Sequence, residues 1–222
     1  MSHIYEKDGI SYPSVTTVLH ILGDQRLIKW ANIMGFKHKN TTDILNESAA
    51  FGTLVHKALE YYVNGKEWKS HVTSIVVPRI EEILKRFEDK YPSYSYKTIM
   101  TEVSMVNSDL KFGGTADWII EKDNKIILCD FKTSKSVYPY MLLQLAAYSK
   151  LLELERNIRV NEAHLIRVNE LYCRNTVFTR EELDYAYNAF EHLLAFYILY
   201  GDKLNGTSKD DEANEKIRVE PL

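Results

Sequence analysis

The sequence predicts an α/β fold in which helices flank a mixed central sheet containing a three-strand meander, with a helical N-terminal elaboration. Apolar residues recur at helical spacing in the first and last thirds of the chain and at a spacing of two in the middle third. One convincing helix interrupts the strand candidates, so a meander, a helix and two further strands would form the sheet. We expect a helical region over residues 1–95, a core over 96–204 and a disordered acidic tail over 205–222.

Composition limits the classes of protein and partner. The 222 residues are 45% hydrophobic, which is enough to form a sizeable core. The formal charge of -3 is not the strongly positive charge expected of a protein that coats nucleic acid. Two cysteines exclude a disulfide framework, a four-cysteine zinc site and an iron–sulfur cluster. The N-terminus lacks a signal or transit pattern, and no stretch reaches membrane-spanning length. The expectation is a soluble cytoplasmic protein that does not contact a membrane.

The N-terminal elements are predicted from local signals. A hairpin turns at Asp8 and Gly9, and a short helix begins after Ser14. A second helix covers "RLIKWANIMGF". A third, "SAAFGTLVHKALEYYVNG", takes Ser48 as its N-cap and ends near Asn64, and a fourth runs from about residue 72 to 90.

Five segments in the middle third have the alternation of strands. They read "TIMTEVSMV", "LKFGGTADWIIE", "KIILCDFKT", "NEAHLIRV" and "CRNTVFT", with the helix "YPYMLLQLAAYSKLLELE" between the third and the fourth. The last helix begins near Thr179, where Thr179 and Glu182 form a capping-box pattern, and extends to about Leu204.

The second and third strands bring two carboxylates together. If Asp123 and Asn124 form a two-residue turn, Asp117 lies directly across from Asp130, with Cβ atoms roughly 4.5 to 5.5 Å apart. Two such charges about 5 Å apart repel by roughly 3 kcal/mol at an effective dielectric of about 20. A cation is therefore expected beside them. Lys132, which points to the same face, would supply it in a structural salt-bridge cluster, and a divalent metal held by the carboxylates is the alternative.

Four motifs occur in a fixed order along the chain. They are G-x-x-x-H from Gly52 to His56, G-x-x-D from Gly114 to Asp117, D-x-K from Asp130 to Lys132, and Q-x-x-x-Y from Gln144 to Tyr148. Over about residues 12 to 170 the chain resembles the PD-(D/E)xK nuclease superfamily in its RecB-like exonuclease branch. With "YPSVTTVL" it is also similar to stand-alone phage-encoded and mitochondrial genome-maintenance exonucleases. The resemblance implies a restriction-endonuclease-like core.

The resemblance also implies a chemistry and a set of site residues. It implies a metal-dependent DNA exonuclease of replication, recombination or repair, with Mg²⁺ or Mn²⁺ as cofactor and Lys132 orienting the attacking water or offsetting transition-state charge. Gln144 and Tyr148 would lie near the DNA backbone and that water. The implied metal ligands are His56, Asp117, Asp130 and the backbone carbonyl of Phe131.

Some assignments remain open at this stage. His56 alone could be a buried core histidine, and Glu102 could be a further metal-site carboxylate or a surface residue. The segment "RLIKWANIMGFKHKN" combines cations with aromatic side chains. It could line a groove through which single-stranded DNA is threaded, or it could be a solvated helix with aromatic residues in the core. The candidate DNA-binding residues are Lys29, Trp30, Lys37 and Lys39.

The function therefore has several candidates. A single-strand exonuclease competes with one that resects duplex ends, and both compete with a catalytically silent DNA-binding module of the same fold. Because no phosphate-binding P-loop occurs, the protein is expected to act alone or with a separate recombination or replication protein.

Overall fold

The computed structural model describes residues 4–23 and 25–204, and the predicted disordered tail over 205–222 lies outside the described residues. The described chain forms a mixed five-stranded sheet with helices on both faces, so the predicted α/β fold class is confirmed. The strands are β3 (Lys97–Asn107), β4 (Phe112–Lys122), β5 (Lys125–Lys132), β6 (Glu162–Val168) and β7 (Cys173–Thr179). They lie in chain order, and β5 pairs parallel to β6 while every other pair in this sheet is antiparallel.

A two-stranded hairpin and a short helix precede the sheet. Strand β1 (Ile4–Lys7) pairs with β2 (Ile10–Pro13) around Asp8 and Gly9, which both have positive φ. Helix α1 (Val15–Leu19) begins after Ser14, whose Oγ accepts the backbone N–H of Thr17 at 3.0 Å. The predicted hairpin and helix start are thus confirmed.

The next three helices are α2 (Gln25–Phe36), α3 (Thr41–Val63) and α4 (Val77–Lys90). The predicted N-cap of α3 is wrong, because the helix begins seven residues before Ser48. Asn40 caps it instead, since its Oδ1 accepts the backbone N–H groups of Thr42 and Asp43. The fourth helix begins later than predicted, at Val77, after a single 3-10 turn over residues 74–76.

The last two helices lie against the opposite face of the sheet. Helix α5 (Pro139–Arg156) connects β5 to β6, and α6 (Arg180–Leu204) follows β7. The backbone N–H of Thr179 donates to Glu182, and the N–H of Glu182 donates to Thr179, so the predicted capping box is confirmed. Among the described residues, no helix combines the length and apolar character needed to cross a membrane.

The sheet separates two apolar cores. One core packs α1, α5 and α6 against side chains such as Leu128 and Leu165, and the other packs α3 and α4 against Trp118, Phe131 and Ile166. Because both faces are covered, β4 to β6 are apolar with little alternation. Asp117 stands in the middle of β4, where the pairing of β4 with β5 ends, and Asp130 is buried near the end of β5.

Candidate active site

The β4–β5 hairpin has the predicted register. Asp123 and Asn124 both have positive φ, and pairs run from Lys122 opposite Lys125 to Trp118 opposite Cys129. The ladder then stops one position before Asp117. Instead of a backbone carbonyl, Oδ2 of Asp117 accepts the backbone N–H of Phe131 at 2.7 Å. The Asp117 carboxylate therefore closes the end of the ladder.

The regular alternation of side chains along β4 is broken at Asp117. Ala116 and Trp118 would normally face the same side, yet Ala116 belongs to the α5 core and Trp118 to the α3–α4 core. The partner position on β3 is Glu102, which lies between the pairs that join Thr101 to Trp118 and Val103 to Ala116. Glu102 has a φ of 48°, a left-handed conformation that costs a residue with a side chain about 1–2 kcal/mol.

Helix α3 brings His56 to this end of the sheet. Its Nδ1 lies 3.4 Å from Oδ2 of Asp117, and its ring meets Phe131 edge-on with centroids 6.1 Å apart. Gly52, one turn earlier, permits the approach, because a Cβ there would lie 3.3 Å from Oγ1 of Thr133. His56 is thus placed beside a carboxylate, although 30% of its side chain remains exposed.

Asp130 is held on the other face, by β5 and α5. Its Oδ2 lies 2.6 Å from Nζ of Lys132, yet this buried oxygen makes no hydrogen bond with acceptable angles. Nε2 of Gln144 is 3.4 Å from Oδ1 of Asp130 and donates to the Tyr148 hydroxyl at 2.9 Å. Tyr148 is only 5% exposed and packs against Gly114, so it reaches the site through Gln144.

The charges at this sheet end are out of balance. Burial raises the pKa of the Asp130 carboxyl, and Asp117 adds to the increase while Lys132 opposes it. Burial and the charges of Asp117, Glu60 and Asp130 raise the pKa of Glu102 to about 7, even though part of the Glu102 side chain is exposed. Burial alone would lower the pKa of Lys132, but Asp130 and Asp117 outweigh it and the pKa is raised.

Glu60 was not identified from the sequence. It lies one turn after His56 on α3, at the i+4 position that places both side chains on one helix face. A His-x-x-x-Glu spacing on the predicted helix could have indicated it. Glu60 and Asp117 both act on the Glu102 carboxyl, whereas Asp117 and Asp130 are the two acids whose charges act on Lys132.

The residues that were predicted to contact single-stranded DNA lie on α2 and on the turn that follows it. Lys29, Lys37 and Lys39 are exposed and Trp30 is half-buried. Helix α2 packs against α3, and its Leu27 lines a cavity together with Gln144. The helix therefore borders the site, but no direct contact joins these four residues to the carboxylates.

The chemistry of the donors suits a hard divalent cation, although the ligands are not preassembled. Imidazole and carboxylate groups are standard ligands for such ions. Within the described ranges, no three histidine, cysteine or acidic side chains converge closely enough to form a ready-made cage. Binding an ion would require side chains to close around it.

Comparisons with known proteins bear on the family. No curated protein was found to match the chain. A solved structure described as SSO0001 is 18% identical, with a TM-score of 0.45, and the match covers 89% of this chain and 79% of that one. The family model of the PD-(D/E)XK nuclease superfamily matches residues 30–198, which is most of the chain and includes His56, Asp117, Asp130 and Lys132. The chain therefore belongs to the PD-(D/E)XK nuclease superfamily.

Proposed function

We propose that the protein is a Mg²⁺- or Mn²⁺-dependent DNA exonuclease of the RecB-like branch. In this proposal it hydrolyses phosphodiester bonds at the free ends of single-stranded DNA during replication, recombination or repair. Membership of a nuclease superfamily supports hydrolysis of nucleic acid in general. The metal, the exonuclease mode and the single-strand preference rest on the arguments below.

The charge imbalance at the sheet end is the observation that carries the proposal. A purely structural salt bridge would need one acid for Lys132, and the 2.6 Å contact with Asp130 satisfies that need. Asp117 and Glu102 are then surplus, and the charge of Asp117 helps to raise the pKa of both the Glu102 and the Asp130 carboxyl groups. A cation bound among these acids would relieve the repulsion between them.

The residues that would hold the metal are the implied set of His56, Asp117, Asp130 and the carbonyl of Phe131, with Glu102 as a further carboxylate. Such an ion lowers the pKa of bound water and polarises a phosphoryl oxygen. Two contacts keep the Asp130 carboxylate in place before binding, one from Lys132 and one from Gln144.

Lys132 would act on the phosphate instead of holding the ion. Its pKa is raised, so the ammonium stays charged at neutral pH, and 20% of its side chain remains accessible. A fixed positive charge beside the developing negative charge of the transition state stabilises that state more than the substrate. We expect Lys132→Ala to lower kcat by about 10²- to 10³-fold, the usual effect of removing one such group.

The test uses end-labelled single- and double-stranded DNA with Mg²⁺, Mn²⁺ or EDTA. Cleavage should need the metal, should disappear in Lys132→Ala and should persist in Lys135→Ala, which removes an exposed lysine three residues away. Equal activity of the two lysine variants, both folded by circular dichroism, would refute the assigned role. If no DNA is cleaved under any condition, a silent binding module would account for the fold.

Linear and covalently closed circular single strands of one sequence then separate exonuclease from endonuclease action. The exposed lysines and half-buried Trp30 of helix α2 favour the hypothesis that a DNA strand enters the site by its end. Cations and aromatic faces bind single-stranded DNA without sequence preference. Equal cleavage of the circle would contradict this, and faster loss of linear duplex would favour end resection.

A further inference from the structure

A cavity of about 360 Å³ opens between the N-terminal helices and α5. On one side it is lined by Leu19 and His20 at the end of α1 and by Leu27 of α2, and on the other by Tyr140 and Gln144 of α5. Its N-terminal side lies outside the four ordered motifs. Its volume is near the lower end of the roughly 300–1,000 Å³ usual for ligand sites, so it suits one small group.

This cavity adjoins the carboxylates through shared side chains. Gln144 lines it and also lies 3.4 Å from Oδ1 of Asp130. Tyr140 lines it and lies near enough to Lys132 to affect that lysine's pKa. The cavity therefore adjoins the place where the proposed function puts the phosphate, beside Lys132 and the metal-binding carboxylates.

The lining favours a flat, uncharged and amphipathic occupant. Leu19 and Leu27 are apolar, Gln144 offers an amide, and the Tyr140 ring is fixed in a parallel stack on Tyr138, with centroids 5.5 Å apart. His20 is the one titratable group besides Tyr140 among the described lining residues, and no lysine, arginine or acid joins them. The described lining residues thus offer a phosphate no lysine or arginine, whereas a nucleobase can stack on aromatic faces and form hydrogen bonds through its edges.

We propose that this cavity receives the nucleobase of one nucleotide next to the scissile phosphate, and so sets the register of the strand. The proposal rests on the function proposed above and deepens it. The backbone phosphate lies at Lys132 and the carboxylates, while its neighbouring base lies between α1, α2 and α5. One base position should therefore contribute far more to binding than the others.

The test measures binding without requiring turnover. Single-stranded oligonucleotides carry 2-aminopurine, or a stable abasic residue, at each successive position from either end, and are titrated with the wild-type protein in EDTA. We expect fluorescence quenching to peak at one position and an abasic residue there to weaken binding about tenfold, as for loss of one stacked base. Equal effects at all positions would overturn the proposal.

Two tryptophan substitutions on α2 provide a matched pair. Leu27→Trp should fill the cavity and abolish the positional effect, while Ile28→Trp, at a neighbouring position 62% exposed and outside the lining, should preserve it. If both variants keep the positional effect, the base binds elsewhere. Positional binding without hydrolysis in Mg²⁺ or Mn²⁺ would support the cavity and refute the nuclease proposal, whereas hydrolysis without positional binding would refute the cavity alone.

Discussion

Gly114→Ala should disturb both the stability and the chemistry of this protein through one tyrosine. A Cβ at residue 114 would lie 2.5 Å from Cε1 of Tyr148 and 3.2 Å from a methyl group of Val15. The ring is buried and cannot move freely, so the substitution overpacks the α5 core. Overpacking typically costs about 1–3 kcal/mol, which corresponds to a fall in Tm of roughly 2–12 °C for a chain of this length.

Displacement of Tyr148 should also change the position of the Asp130 carboxylate. The Tyr148 hydroxyl accepts a hydrogen bond from Gln144, which in turn contacts Asp130. A shifted ring frees the Gln144 amide, so kcat should fall more than KM rises. Gly35→Ala is the control, since nothing lies within 4 Å of a Cβ at this exposed position in α2.

A double-mutant cycle tests the assigned cause. Tyr148→Ala alone should destabilise by about 3–5 kcal/mol, because it empties a buried aromatic site. Adding Gly114→Ala to that variant should cost less than in the wild type, since the clashing ring is gone, with a coupling of about 1–2 kcal/mol by urea denaturation. Additive costs, or a Gly114→Ala variant as stable as Gly35→Ala, would refute the reasoning.

Three further predictions concern the polar groups of the site. Tyr148→Phe keeps the ring but removes the hydroxyl, and we expect lower kcat with a Tm close to that of the wild type in thermal melts. Asp117→Asn and Asp130→Asn should each weaken Mn²⁺ binding at least about tenfold, because even residues that only support a ligand contribute 10- to 100-fold; unchanged affinity of both in calorimetry would rule out the paired-carboxylate site. Glu102→Gln should stabilise the metal-free protein at pH 8. The folded-state pKa of Glu102, about 7, exceeds its ordinary value of 4.5, so wild-type stability is lost as pH rises through that interval. After allowance for solvent screening the gain is about 1 kcal/mol at pH 8 and should vanish near pH 4; a gain independent of pH would contradict the electrostatic cause.

The parts predicted correctly from sequence depend on local interactions. The β4–β5 register follows from the turn at Asp123 and Asn124, whose side chains tolerate positive φ, and a correct turn places every later pair. The capping box at Thr179 and Glu182 is likewise contained within four residues. The start of α3 was wrong because both Asn40 and Ser48 can cap a helix, and only the structure distinguishes them.

The parts that sequence could not predict depend on distant contacts. Nothing in "TEVSM" indicates that Glu102 adopts a left-handed φ. That conformation depends on the opposing strand β4 and on packing against the apolar cores on the two faces of the sheet. The ladder was therefore expected to continue to Asp117 and Asp130, whereas the Asp117 carboxylate replaces a carbonyl there. Burial of Tyr148 likewise depends on a distant residue, because its ring occupies the space that a side chain at Gly114 would fill.

The uncharged motif residues explain how a buried sheet can present charges at one end. Gly52 lets α3 approach Thr133 on one face, which places His56 beside Asp117. Gly114 admits the Tyr148 ring on the other face, and Tyr148 holds the Gln144 amide near Asp130. In each of the two glycine motifs, the glycine thus provides a packing contact and the residue that ends the motif a polar contact. Because the two glycines act on opposite faces, a side chain at either should displace its own helix while the other face keeps its contacts.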